Sequence, residues 1–226
     1  MNEIFEKYNI ILTEEQEKKL DKFYGILLEY NNKFNLTAIT EKKEVYIKHF
    51  VDSLLIKEVI NGDKFIDVGS GGGFPAIPLK IVNENAEFTL LDATNKKCEY
   101  LKDAASLLDL KNVNVVCGRA EELGKNEKYR EKFDVCTARA VASLDILSEY
   151  CLPFVKVGGV FVSYKGDAEE EIKNSENAIK TLGGRIKEVL HFDLEGAKRT
   201  VIIIEKIKST DGKYPRTNGK IRKNPL

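Results

Sequence analysis

The sequence is short of the residues on which much enzyme chemistry relies. It has only two histidines, His49 and His191, among 226 residues. His49 falls beside the apolar face of a predicted helix, with Asp52 and Ser53 close behind. Serine, histidine and acid so near on one helix cannot assemble a nucleophile triad by themselves, so a packed, hydrogen-bonded histidine is expected; His191 is expected in a loop. The four cysteines, Cys98, Cys117, Cys136 and Cys151, are scattered and include no Cys-x-x-Cys pair. That argues against a zinc site or other metal centre and against a disulfide framework. It predicts reduced, buried thiols in a cytoplasmic protein. No apolar run approaches the ~20 residues that cross a bilayer, and Met1 to Lys7 lack the pattern of a leader segment. No membrane association is expected.

A net charge is missing too: 36 basic residues balance 36 acidic ones. The total therefore does not advertise a polyanion binder, but the distribution is uneven. Residues 206–226 hold seven cations (Lys206, Lys208, Lys213, Arg216, Lys220, Arg222 and Lys223) against the single acid Asp211. A basic tail on an acidic body predicts an anionic partner for the tail. A solvated, partly disordered terminus is the alternative.

What the chain does have is a clear order of elements. Thr13-Glu14-Glu15-Gln16 has the form of a capping box. Leu20, Phe23, Tyr24, Leu27 and Leu28 then recur at helical spacing to about Tyr30. Asn31 to Thr40 reads as a loop. Tyr46, Ile47, Phe50, Val51, Leu54 and Leu55 mark a second helix, ended by the turn signal Asn61-Gly62-Asp63. Strands and helices then alternate. Strands are predicted over 65–68, 87–92, 113–117, 133–139, 160–164, 185–190 and 200–205. Helices are predicted over 75–82, 95–108, 144–152 and 168–182, with a loop or short helix over 121–132. Such alternation implies an α/β fold with a mostly parallel seven-stranded sheet covered on both faces. Two consecutive strands at the end imply an antiparallel last strand. The predicted division is a helical extension (1–62), a Rossmann-like domain (63–207) and the basic tail (208–226).

The most informative stretch is Asp67-Val68-Gly69-Ser70-Gly71-Gly72-Gly73-Phe74-Pro75. It sits between a strand and a helix, where α/β domains bring backbone N–H groups to an adenine cofactor. Taken bare, the loop fits a dinucleotide pattern as well as a methyltransferase one. Asp67 beside it would repel a pyrophosphate and attract a cation, which favours S-adenosylmethionine over NAD. Asp92, ending the second strand, is placed to accept ribose hydroxyls, or else acts as a helix cap. Ala120 and Glu121, after the third strand, are placed to bound the adenine, unless Glu121 is merely solvated. Arg139, after the fourth strand, points to the cleft mouth, to hold a phosphate or stack on a base, or to form a rim ion pair. Lys165, after the fifth strand, has a similar address. Gly69, Gly71 and Phe74 complete the expected cofactor set. No catalytic base is evident.

In several further pieces, all in order, the chain resembles the bacterial 16S ribosomal RNA guanine-N7 methyltransferase family, also called glucose-inhibited division protein B. The pieces are Asn35-Leu36-Thr37, His49-Phe50-Val51-Asp52-Ser53-Leu54, Phe65 to Pro75, Ile77-Pro78-Leu79, Leu90-Leu91-Asp92 with Lys96-Lys97, Gly118-Arg119-Ala120-Glu121, Thr137-Ala138-Arg139-Ala140, and Tyr214-Pro215-Arg216 with Gly219, Lys223, Pro225 and Leu226. The resemblance implies a class I S-adenosylmethionine-dependent methyltransferase fold. It implies cofactor contacts at Gly69, Phe74, Ala120, Glu121 and Arg139. The implied substrate is one guanosine in the decoding-region loop of 16S ribosomal RNA, free or in an assembling small subunit, acted on by a monomer. Ala76 stands where the family usually has glycine, and Ile221 where it usually has proline. Lys165, Arg199 and Arg216 are the expected RNA contacts. The competing readings are a methyltransferase for proteins or small molecules, a non-catalytic nucleotide-binding module and an NAD-dependent dehydrogenase.

Overall fold

The computed structural model describes residues 2–139 and 141–226. Ala140, the last residue of one motif above, lies outside the described residues. The chain opens with α1 (Asn2–Glu6) and α2 (Glu14–Phe34). Thr13 caps α2 reciprocally with Gln16, as the capping box predicts. The helix runs one turn beyond its predicted end, to a left-handed Asn35 cap. Its last residues are polar because they face solvent, which is what made them read as a loop. Then α3 (Lys42–Val45), a π-helical segment (Tyr46–Val51) and α4 (Asp52–Leu54) form one continuous helical stretch.

The sheet follows. Its strands are β1 (Lys64–Val68), β2 (Glu87–Asp92), β3 (Val113–Cys117), β4 (Phe133–Arg139), β5 (Val155–Lys165), β6 (Gly184–Leu194) and β7 (Ala197–Lys206). The crossovers carry α5 (Ala76–Val82), α6 (Asn95–Leu107), α7 (Ala120–Leu123), α8 (Leu144–Cys151) and α9 (Glu169–Thr181). The spatial order is β3-β2-β1-β4-β5-β7-β6. β7 runs antiparallel to β5 and β6, so the last strand slots between its two predecessors. β5, β6 and β7 are longer than predicted. Their added residues include Gly158 and Gly159 in β5 and a mix of polar and apolar residues in β6 and β7 that local hydrophobicity does not mark, and His191 lies within β6, paired with Thr200, instead of in a loop.

Alternate residues of each strand face opposite sides, and the core divides accordingly. Phe65, Phe88, Val135, Val162 and Ile203 pack with α2, the π segment, α5 and α6. Ile66, Leu91, Cys136, Phe161 and Ile204 pack with α8, α9 and the carboxyl-terminal segment. The first helices thus share one apolar layer with the sheet. The tail is ordered: it ends in α10 (Asn218–Lys223), with Ile221 wholly buried. No helix among the described residues is long and apolar enough to cross a membrane.

Candidate active site

The glycine loop leaves β1 with positive φ at Gly69 (77°), Gly71 (52°) and Gly73 (87°), a region costly for side chains with a Cβ. A Cβ on Gly73 would lie 2.5 Å from Ile77 Cδ1, and one on Gly69 would lie 2.7 Å from Val141 Cγ2. Five of the loop's N–H groups are turned inward, contrary to the sequence expectation, and only that of Gly72 has no such partner among the described residues. Gly69 and Ser70 donate to Leu91 O at 2.8 and 3.0 Å, and Gly73 and Phe74 donate to Ser70 O at 2.7 and 3.3 Å. Gly71 donates to Asp92 Oδ2 at 3.0 Å. With these donors engaged inside the fold, the loop lets a ligand come close but makes a poor cradle for phosphates.

Asp67 lies beneath this loop and not on the open cleft. It is 1% exposed. Oδ1 accepts from the Thr137 hydroxyl at 2.6 Å, and Oδ2 has no partner among the described residues. Burial raises its pKa from 3.8 to about 7, against the opposing hydrogen bond from Thr137. Any electrostatic effect on a ligand therefore acts through the loop.

Two cavities flank the loop at the carboxyl edge of the sheet, the edge where open α/β sheets bind ligands. The first, about 170 Å³, brings together Gly69, Asp92, Ala120 and Glu121. The Asp92 carboxylate accepts from the N–H groups of Gly71 and Thr94 at 3.0 and 2.9 Å. A carboxylate has about four lone-pair sites, so two remain for a ligand. Val141, Tyr150, Asn218 and Arg222 also line it. Sequence reasoning missed these four. The only available signal was the basic tail, and it pointed elsewhere.

The second cavity, about 350 Å³, is lined by Lys48, His49, Asp52, Arg139, Lys165 and Arg199, among others. Arg139 belongs here and not in the first cleft. Its guanidinium lies 5.0 Å from the Phe74 ring centroid, and His49 stacks on the same ring at 4.6 Å. Phe74 thus backs the wall of the second cavity and, being buried, lines neither cavity. Arg139 Nη1 donates to Asp52 Oδ2 at 2.8 Å, and Arg199 Nε lies 3.2 Å from Asp52 Oδ1. This is a rim ion pair drawn inward, since the Asp52 side chain is only 4% exposed. His49 Nε2 meets the Thr37 hydroxyl at 2.9 Å, and Nδ1 lies 3.0 Å from Lys48 O and 3.2 Å from Arg139 Nη2. Burial, reinforced by Arg139, lowers its pKa to about 3, so the ring is neutral.

Lys165 Nζ donates to Ala142 O at 2.5 Å and pairs with Glu171 at 2.7 Å. Arg216 is far from this mouth in its bonding. Its Nε and Nη2 donate to Glu149 at 3.0 and 2.7 Å, and Glu149 is 1% exposed. Its guanidinium is committed within the chain. Cys98, Cys136 and Cys151 are buried and Cys117 is exposed, all as free thiols. Among the described residues no group of three metal-ligating side chains converges.

Residues 16–202 match the family model described as rRNA small subunit methyltransferase G, GidB. The chain belongs to this family. A curated relative, the ribosomal RNA small subunit methyltransferase G of Acetivibrio thermocellus, is 47% identical over 97% of this chain and 92% of its own length. The Alkaliphilus metalliredigens protein of the same name is 49% identical over 95% and 92%. Among solved structures, a SAM-dependent methyltransferase from Aquifex aeolicus shares the fold, with a TM-score of 0.54 at 18% identity, covering 73% of this chain and 93% of that one. The class I methyltransferase fold expected for the GidB family is therefore the fold observed, antiparallel seventh strand included.

Proposed function

We propose that this protein transfers a methyl group from S-adenosylmethionine to the N7 atom of one guanosine in the decoding-region loop of 16S ribosomal RNA. The observation that carries this reading is the pair of cavities on either side of one glycine loop, each suited to a different reactant. In the first, the loop's engaged N–H groups disfavour a pyrophosphate, while Asp92 and Glu121 suit a neutral nucleoside with a cationic end. Asp92 would accept the ribose hydroxyls, and Ala120 and Glu121 would bound the adenine. S-adenosylmethionine supplies an electrophilic methyl group when bound there. The second cavity, ringed by Lys48, Arg139, Lys165 and Arg199, suits a nucleotide with its phosphates.

Guanine N7 carries a free lone pair and loses no proton on methylation, so no general base is needed. That agrees with His49, which is neutral and has hydrogen-bond partners at both ring nitrogens. The work left to the chain is positioning: Arg139 and Arg199 orient the nucleotide so that its nucleophile lies in line with the methyl group. Asp52 is the acid that holds both guanidinium groups. Residues 1–62 shape the entrance through Lys48 of the π-helical segment and Ile39 of the loop before α3. Incubation with labelled S-adenosylmethionine and either purified 16S RNA or small subunits, followed by mapping of the modified base, tests this. Label at guanine N7 of the decoding region is expected. Label confined to protein or small molecules would assign the chain to another substrate class.

A further inference from the structure

The carboxyl-terminal helix α10 forms part of the wall of the first cleft, which Asp92 and Glu121 also line. Its position does not depend on any ligand. Ile221 is wholly buried, Arg216 is locked onto Glu149, and Arg130 donates to the carbonyls of Tyr214 and Thr210 at 2.8 and 2.6 Å. On the cleft side, the Tyr150 hydroxyl donates to Asn218 Oδ1 at 2.6 Å and Arg222 Nε donates to the same oxygen at 3.1 Å. The Asn218 oxygen is thus occupied, while its amide N–H groups stay available. Arg222 uses only Nε, and its two terminal nitrogens have no hydrogen-bond partner among the described residues. The wall therefore offers donors and a flat cation, and Asn218 holds the guanidinium along one edge.

We infer that Asn218 and Arg222 form the purine-binding side of the cofactor cleft, so that the basic tail serves the methyl donor and not the RNA. A purine ring presents acceptor nitrogens along its edges and a π face to a guanidinium, and both match these side chains. Asp92 takes the ribose, which fixes the order of the two ends in the cleft. This rests on the reading of that cleft as the S-adenosylmethionine site.

The test is titration calorimetry with S-adenosylhomocysteine and, separately, adenosine, on the full chain and on Arg222→Ala, Asn218→Ala and Lys223→Ala. Arg222 and Lys223 are exposed, so their removal leaves the fold intact, and thermal melting checks the Asn218 variant. Arg222→Ala is expected to weaken both ligands about five- to tenfold. Asn218→Ala should weaken both as well, while Lys223→Ala should change neither. RNA affinity of Arg222→Ala should keep the salt dependence of the wild type. Loss for S-adenosylhomocysteine but not adenosine would move the contact to the amino-acid end and overturn the purine assignment. So would unchanged ligand binding with a flattened salt dependence, which would return the tail to the RNA. Failure of the unmodified chain to bind S-adenosylhomocysteine at all would instead remove the underlying reading of the cleft.

Discussion

Asp67 stands one residue before the end of β1, in the position a sequence reading singles out, and its behaviour follows from burial. Its folded pKa of about 7 lies above the ordinary 3.8. Between those values the native state keeps a proton that the unfolded chain has lost. Stability therefore declines as pH rises from about 4 to 7 and stays level above. Asparagine copies the protonated acid and retains an acceptor for Thr137. Asp67→Asn is expected to raise the stability of the ligand-free protein at about pH 8, by up to about 4 kcal/mol. The gain should shrink toward zero as pH falls to about 4. Urea unfolding across that range checks it, and a gain that does not vary with pH would show that the carboxyl is not titrating in the fold.

At the scale of elements, the junction of the π-helical segment and β4 decides the second cavity. The Lys42–Leu54 stretch delivers His49 and Asp52, β4 delivers Arg139, and β7 delivers Arg199. π-helical turns recur at functional sites, and here the turn ends at Asp52, the acid that joins three elements. Removing Arg139 alone leaves a buried carboxylate with Arg199 as its remaining cation. Arg139→Gln is expected to cost about 3 kcal/mol in stability. The double variant Asp52→Asn, Arg139→Gln should recover most of that loss. Methyl transfer to small-subunit RNA should remain low in both. Recovered activity in the double variant would mean that Arg139 acts on Asp52 alone and makes no contact with RNA.

Across the whole molecule, the tail is held by long-range partners. Glu149, Arg130 and Glu131 reach it from α8 and from the chain before β4. Arg216→Ala would leave the Glu149 carboxylate buried without its bidentate partner, and a loss of about 3 kcal/mol is expected in thermal or urea unfolding. The first strands and their crossover helices were legible in the sequence because each repeats apolar residues at its own period within a few positions. So was the gathering of Gly69, Asp92, Ala120 and Glu121 at one edge of the sheet, because strand ends predict it. The tail was not legible. Its local composition is polar and cationic, and its order depends on partners such as Glu149, 67 residues from Arg216. The sheet edge of Arg139 was legible, because strand order fixes it, but the cavity it lines was not, because side-chain packing on Phe74 and the bond to Asp52 decide that.

The inward-turned donors of the glycine loop have one more consequence. ATP shares an adenosine with the methyl donor and is abundant wherever RNA is made, so a cleft that recognised the nucleoside alone would fill with it. A loop with five N–H groups already on Leu91, Asp92 and Ser70 has only that of Gly72 to offer a triphosphate, and Asp92 and Glu121 repel it. In the proposed cofactor cleft, selectivity would come from donors withheld, and a large excess of ATP should leave bound S-adenosylhomocysteine in place in a competition titration.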